Sequence, residues 1–234
     1  MRDLREDLEE LYRALSATPA SEGGGRIVMF MSARPGEGAS SVAASFALLA
    51  AEKARRAVWL IDLDLRRNAA FNAFAVGPFA AKFGGVSPPY SALLNTQPFY
   101  AIEGEEAGEP PSGPAGAFTV HRVGESRLMV TQFDGRRVRP GRALKIRTAK
   151  DYWTAVRGAT DWAIVDAPSL ERAGAGLAVA AEMDRTVLIV RADSTPPADV
   201  EALRAEIERH GGAVAGCVLN RVKSDARFFD KLAG

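Results

Sequence analysis

The stretch Phe30-Met31-Ser32-Ala33-Arg34-Pro35-Gly36-Glu37-Gly38-Ala39-Ser40-Ser41 most limits what this chain can fold into. An apolar run, Ile27 to Met31, leads into it and reads as a strand. An Ala-rich run, Ser41 to Lys53, leaves it and reads as a helix. A tight Gly/Pro turn lies between them. Strand, glycine turn and helix in that order form an anion cradle. Glycines let backbone N–H groups approach the anion, and the helix N-terminus adds the positive end of its dipole. The phosphate-loop pattern asks for G-x-x-x-x-G-K-[ST]. Gly38 and Ser40 match its last Gly and its hydroxyl, but Ala39 stands at the Lys position and Ala33 at the first Gly.

Composition removes several classes of function. The chain has 234 residues, enough for one sizeable core. Its net charge of +1 gives no overall electrostatic case for nucleic acid, and no nucleic-acid partner is expected. No apolar run approaches the roughly 18–20 residues that span a bilayer. The expected setting is cytoplasmic, with any membrane association made through a partner. The single cysteine, Cys217, sits in an apolar run and is expected to be a buried thiol. His121 and His210 form neither a metal cluster nor a triad with Cys217 and are expected at packing or surface positions.

Five apolar runs alternate with helical segments. Ala57 to Ile61 ends in Asp62-Leu63-Asp64, and Trp162 to Val165 ends in Asp166. Thr186 to Val190 follows, then a helix opened by Pro196-Pro197, and then Ala213 to Leu219 ending at Asn220. Short apolar runs bounded in this way read as buried parallel strands, so an α/β doubly wound, mostly parallel sheet is expected. Ligands of such sheets bind beyond the carboxyl ends of the strands, where Asp62, Asp64 and Asp166 would stand.

Around this frame, Leu4, Leu8, Leu11 and Leu15 share one helical face. Residues 1–20 therefore read as an N-terminal packing, docking or oligomerisation helix, joined by a small-residue linker to a domain over 21–234. Residues 76–118 hold 14 Gly or Pro in 43 and an acidic cluster, and read as an irregular insertion with a short helix near Ser91–Leu94. Residues 136–150 carry seven basic side chains in 15. They read as a solvated helix face, a partner of the acidic cluster, or an anion-binding or subunit-contact surface.

Taken together, Pro35-Gly36-Glu37-Gly38, Asp62-x-Asp64-Leu65-Arg66-Arg67, Ile164-Val165-Asp166-x-Pro168 and Leu219-Asn220-Arg221 resemble the cytoplasmic domain of bacterial tyrosine kinases (BY-kinases) of exopolysaccharide assembly. That family lies within the MinD/ParA-type P-loop ATPases. The resemblance implies ATP or ADP with Mg²⁺ as cofactors, held weakly here or not at all without the lysine, and a membrane-embedded polysaccharide co-polymerase as partner. It implies cofactor binding by Pro35, Gly36, Glu37, Gly38, Ala39, Ser40 and Ser41, with Asn220 at the adenine. It places Mg²⁺ on Ser40 and Asp62, and catalytic carboxylates at Asp62, Asp64 and Asp166. Glu10-x-x-Arg13 matches the first half of the family's oligomerisation motif, so a homo-oligomer is implied as well.

The departures point away from catalysis. Ala39 replaces the phosphate-binding lysine, and the tyrosines are Tyr12, Tyr90, Tyr100 and Tyr152 rather than a C-terminal cluster. The reading is a catalytically impaired, pseudokinase-like protein that regulates or scaffolds capsule or holdfast polysaccharide synthesis. One alternative is an active ATPase or tyrosine kinase in which Arg34 or a neighbouring subunit supplies the charge. Another is a MinD-like positioning protein acting at the membrane.

Overall fold

The computed structural model describes residues 3–18, 24–102, 116–138 and 142–222. The segments expected to be apolar strands lie side by side in an eight-stranded sheet. In chain order the elements open with α1 (Glu9–Ala17), β1 (Arg26–Ser32), α2 (Ala39–Lys53), β2 (Ala57–Asp62), α3 (Ala69–Ala75) and α4 (Ala80–Phe83). There follow β3 (Tyr90–Ser91), β4 (Tyr100–Ile102), β5 (Phe118–Arg122), β6 (Leu128–Phe133) and β7 (Leu144–Ile146). The rest are α5 (Lys150–Ala159), β8 (Thr160–Asp166), α6 (Ala175–Val179), β9 (Arg185–Arg191), α7 (Pro197–Arg209) and β10 (Val214–Asn220). The strand order is β10-β9-β1-β8-β2-β6-β5-β3. Pairings from β10 to β6 are parallel, and β5 and β3 are antiparallel additions at one edge.

Alternation along each buried strand divides the core in two. Val28, Phe30, Val58 and Leu60 face α2, while Ile27, Met29, Met31, Trp59 and Ile61 pack with Tyr152, Trp153, Leu203 and Ile207 of α5 and α7. Helices thus cover both faces, as in a doubly wound sheet. β1 pairs with β8 on one side and β9 on the other. The chain runs outward from β1 in both directions, so the turn after β1 lies at the switch point where α/β sheets bind ligands.

α2 buries 11 of its 15 residues. A helix apolar all round needs cover on its outer side too. The N-terminal segment provides it. A 3₁₀ turn, Arg5–Leu8, leads into α1; Leu8 and Leu15 are buried, and Leu4 and Leu11 pack against the same cluster. Tyr12 lies 6.0 Å from Phe46 and 5.5 Å from Trp162 between ring centroids. The Leu4 amide donates to Ser45 Oγ at 3.0 Å, and Lys53 pairs with Glu9 at 3.1 Å. The apolar stripe of α1 is therefore used within the chain, while Glu10 and Arg13 stay exposed.

Three local expectations change. Residues near Ser91–Leu94 form a turn, because Leu94 and Asn95 both adopt positive φ, which a helix cannot include. The basic stretch is not one helix face: Gly135–Arg137 is a 3₁₀ turn, Leu144–Ile146 is β7, and Lys150 opens α5. The acidic cluster, Glu103 to Glu109, lies outside the described residues. Cys217 is exposed, not buried. It sits on β10, which among the described residues pairs with β9 alone at the sheet edge, so its run is apolar without being enclosed. Stoichiometric labelling of the native protein by a thiol reagent within minutes is the expected result.

The insertion also contributes to the core. β4 pairs antiparallel with β7 in a second, two-stranded sheet. Phe99 packs at 5.1–5.3 Å from Phe118, Tyr152 and Trp153, so this segment closes the far side of α5.

Candidate functional site

The turn between β1 and α2 has the cradle geometry. Gly36 and Gly38 take φ of +81° and +99°, conformations open to glycine. The Gly38 carbonyl accepts from the amides of Ser41 and Val42 at 3.0 and 3.1 Å, closing the first turn of α2. No side chain caps that helix end. Its first turn faces a cavity of about 240 Å³ bounded by Pro35, Gly36, Gly38, Ala39, Ser40 and Ser41. The facing wall carries Asp62, Asp64, Asp166 and Ser169, and three arginines, Arg67, Arg172 and Arg221.

Two residues expected to bind cofactor hold the loop instead of lining the cavity. Glu37 is 3% exposed; one carboxylate oxygen accepts from the Arg34 amide at 3.0 Å and the other from Thr195 Oγ1. Asn220 donates from Nδ2 to the Glu37 carbonyl at 2.8 Å, and its Oδ1 accepts from the Arg221 amide. Both ends of the Asn220 amide are engaged within the chain rather than turned toward a base. Arg34 points elsewhere too: it pairs with Asp199 at 2.5 Å and Glu171 at 3.7 Å and does not line the cavity. A Cβ on Gly38 would lie 2.1 Å from Asn220 Nδ2. Gly38→Ala combines that clash with a left-handed backbone and is expected to destabilise the fold by about 2 kcal/mol, read by chemical denaturation.

The carboxylates follow from strand ends. β2 and β8 pair in register with Asp62 opposite Asp166. Both are 3% exposed. Asp62 accepts from the Asp64 amide at 2.8 Å and the Ala70 amide at 3.1 Å. Burial, with some repulsion from Asp64, pushes its pKa up to about 6 despite those bonds. Asp166 is raised well above the usual carboxylate range by burial and then by Asp62, with the Ser40 hydroxyl opposing through a hydrogen bond. Asp166 Oδ1 and Ser169 Oγ are buried without a partner among the described residues. Buried acceptors are rarely left unpaired.

These features fit Mg²⁺ and a phosphate ligand. Among the described residues no three His, Cys, Asp or Glu side chains converge as a metal cage. Mg²⁺ does not require one, since it usually takes one or two protein ligands beside phosphate oxygens and water. Asp166 Oδ1, Asp62 and the Ser40 hydroxyl would hold the cation, directly or through water, and the loop amides would hold phosphate. Among the described residues the site has no lysine: Ala39 presents a methyl group at the first position of α2. Sequence reading missed Ser169 and Arg172. They lie in the irregular segment after Asp166-Ala167-Pro168, and only the fold brings them to the loop.

No protein-family model matches this chain, and no curated protein matches it in sequence. The fold has well-defined counterparts among solved structures. The chain superposes on the kinase domain of Escherichia coli tyrosine kinase ETK with a TM-score of 0.55 at 18% identity, covering 94% of this chain and 76% of that one. The VpsO kinase domain matches with a TM-score of 0.53 at 20% identity, covering 95% of this chain and 100% of that one. The cell-division ATPase MinD of Pyrococcus furiosus gives 0.55 at 16%, over 88% and 79%. The protein therefore has the α/β fold of the P-loop ATPases. Within that class, its counterparts include bacterial tyrosine-kinase domains and MinD, as the resemblance in sequence implied.

Proposed function

We propose that this chain is a nucleotide-binding pseudokinase: it holds ATP or ADP with Mg²⁺ at the glycine loop and transfers phosphate poorly or not at all. The single observation that carries this reading is an internally braced glycine loop and buried carboxylate pair, with Ala39 in place of the central charge. Phosphoryl transfer depends on positioning and on electrostatic stabilisation of the transferred group. Loss of one preorganised stabilising group typically costs on the order of 3–4 kcal/mol at an anionic transition state, about 10²–10³ in rate. Ground-state binding depends less on any one contact and is supported here by loop amides, the α2 N-terminus and the cation.

On this reading the protein is a regulatory or scaffolding subunit of exopolysaccharide assembly, of capsule or holdfast type. Its setting is cytoplasmic, with the membrane reached through a polysaccharide co-polymerase. No described helix is long and apolar enough to cross a membrane. Exposed Glu10 and Arg13, on a helix whose apolar side is already covered, support contacts between copies. A MinD-like membrane role would rest on a basic amphipathic tail, and residues 223–234 lie outside the described residues. An active enzyme is the second reading, favoured by the three arginines in the cavity; Arg34, bound to Asp199 and Glu171, is not the source of that charge.

Calorimetric titration with ATP and Mg²⁺, followed by a turnover assay, separates the readings. Binding with negligible hydrolysis is expected. Sustained hydrolysis abolished by Asp62→Ala would overturn the pseudokinase reading.

A further inference from the structure

We propose that Arg172 supplies the phosphate-binding charge that Ala39 lacks, and that Asp64 holds its guanidinium at the cavity in readiness. This inference rests on the nucleotide-binding reading above. Among the described residues the cavity wall carries three carboxylates and no lysine, so an anionic ligand calls on another cation there. Arg172 is placed by the fold rather than by its own flexibility. It ends a turn closed by its amide on the Ser169 carbonyl at 2.9 Å. The same segment is stitched to the end of β1 by Leu170 N to Ser32 O at 3.0 Å and Glu171 N to Ala33 O at 3.2 Å. Ser32 and Ala33 lead directly into the glycine loop, so Arg172 is registered against the cradle.

Its side chain is fixed as well. Nη2 donates to Asp64 Oδ2, and the guanidinium side chain is 34% exposed against 21% for Asp64. Asp64 is tied in turn to Asp62, whose Oδ1 accepts the Asp64 amide. The bond to Asp64 uses one nitrogen of a planar, five-donor fork. The remaining donors suit a phosphate oxygen, which favours a charged, forked partner. Arg67 and Arg221 also border the cavity and, like Arg172, are exposed residues. Arg172 is the one bridged to a carboxylate of the site. The unpartnered Asp166 Oδ1 and Ser169 Oγ nearby mark the same cavity as one built for a ligand.

The test is calorimetric titration of the full chain with ATP and Mg²⁺, and with inorganic tripolyphosphate and Mg²⁺ to isolate the phosphate contact. Unliganded melting curves establish that each variant is folded. Arg172→Gln is expected to weaken both ligands about 10- to 100-fold, the range of a charge-assisted contact, while leaving adenosine binding unchanged. Ala39→Lys is expected to tighten both ligands more in the Arg172→Gln background than in the wild type, a coupling that a merely structural role for Arg172 would not produce. If the wild type binds and folded Arg172→Gln binds equally well, the proposal is overturned and the nucleotide reading stands. If the wild type binds neither ligand, the nucleotide reading itself falls.

Discussion

Asp166→Asn is expected to melt about 4–8 °C above the wild type at pH 7.5 without divalent cation, and to lose the stabilisation that Mg²⁺ confers on the wild type. The reason is the buried pair at the ends of β2 and β8. Asp62, with a pKa pushed up to about 6, and Asp166, raised well above the usual carboxylate range, keep their protons longer in the folded chain than in the unfolded one. Below about pH 3 both states are protonated and the pair costs nothing. As pH rises toward 6 the unfolded carboxylates ionise first, so folding takes up protons and stability declines. Above that range the folded chain carries the penalty of enclosed negative charge. A shift of two units in Asp62 alone corresponds to about 3 kcal/mol, and about 2 kcal/mol is a realistic recovery once one charge is removed. For a domain of this size that is several degrees.

The difference between variant and wild type should shrink as pH falls to 4, and differential scanning calorimetry across that range reads it. Mg²⁺ acts in the same direction as the proton, so it should stabilise the wild type more at pH 7.5 than at pH 5. A variant advantage that stays constant with pH would show that the pair is not the source.

Ala39→Lys is expected to tighten Mg²⁺-ATP binding about 10- to 100-fold and to leave tyrosine phosphorylation undetectable. Position 39 is the first of α2, 8% exposed and on the cavity wall, so an ammonium there meets phosphate directly. Without ligand the same charge opposes the helix dipole and should lower stability by about 0.5–1 kcal/mol. Restoring the cation does not supply an acceptor. Tyr152 is fully buried, Tyr100 is 5% exposed and Tyr12 packs against Phe46 and Trp162. Tyr90, 58% exposed, lies on the far antiparallel edge of the sheet from β1. Phosphopeptide mass spectrometry after incubation with ATP reads this, and modification at Tyr90 would contradict it.

The fold was legible where one strand carries its whole signal in one run. Ile27–Met31, Ala57–Ile61 and Trp162–Val165 are apolar because both faces of a central parallel strand are covered. They end in polar residues because strand ends open on solvent and ligand. The same rule misled at Cys217, since an edge strand can be apolar without being enclosed. The β4–β7 pair was illegible: each strand has three residues, and Tyr100 meets Ile146 across 46 positions of sequence. The site divides in the same way. Gly36, Gly38, Ser40, Asp62 and Asp166 announce themselves by motif. Glu37 and Asn220 were recognised, but their sequence gave no sign that they would brace the loop. Ser169 and Arg172 belong to no pattern, because what brings them to the site is two backbone hydrogen bonds to the end of β1.

The bracing of the loop by Glu37, Thr195 and Asn220 bears on how fast a ligand is captured. A loop whose shape is already fixed by three side chains has no folding step to complete when phosphate arrives. Association should then be a single kinetic phase whose observed rate rises linearly with ligand concentration, with no plateau from a slow rearrangement. Weak affinity from the absent lysine would appear as rapid departure of the ligand, leaving occupancy to follow the surrounding nucleotide concentration almost without lag.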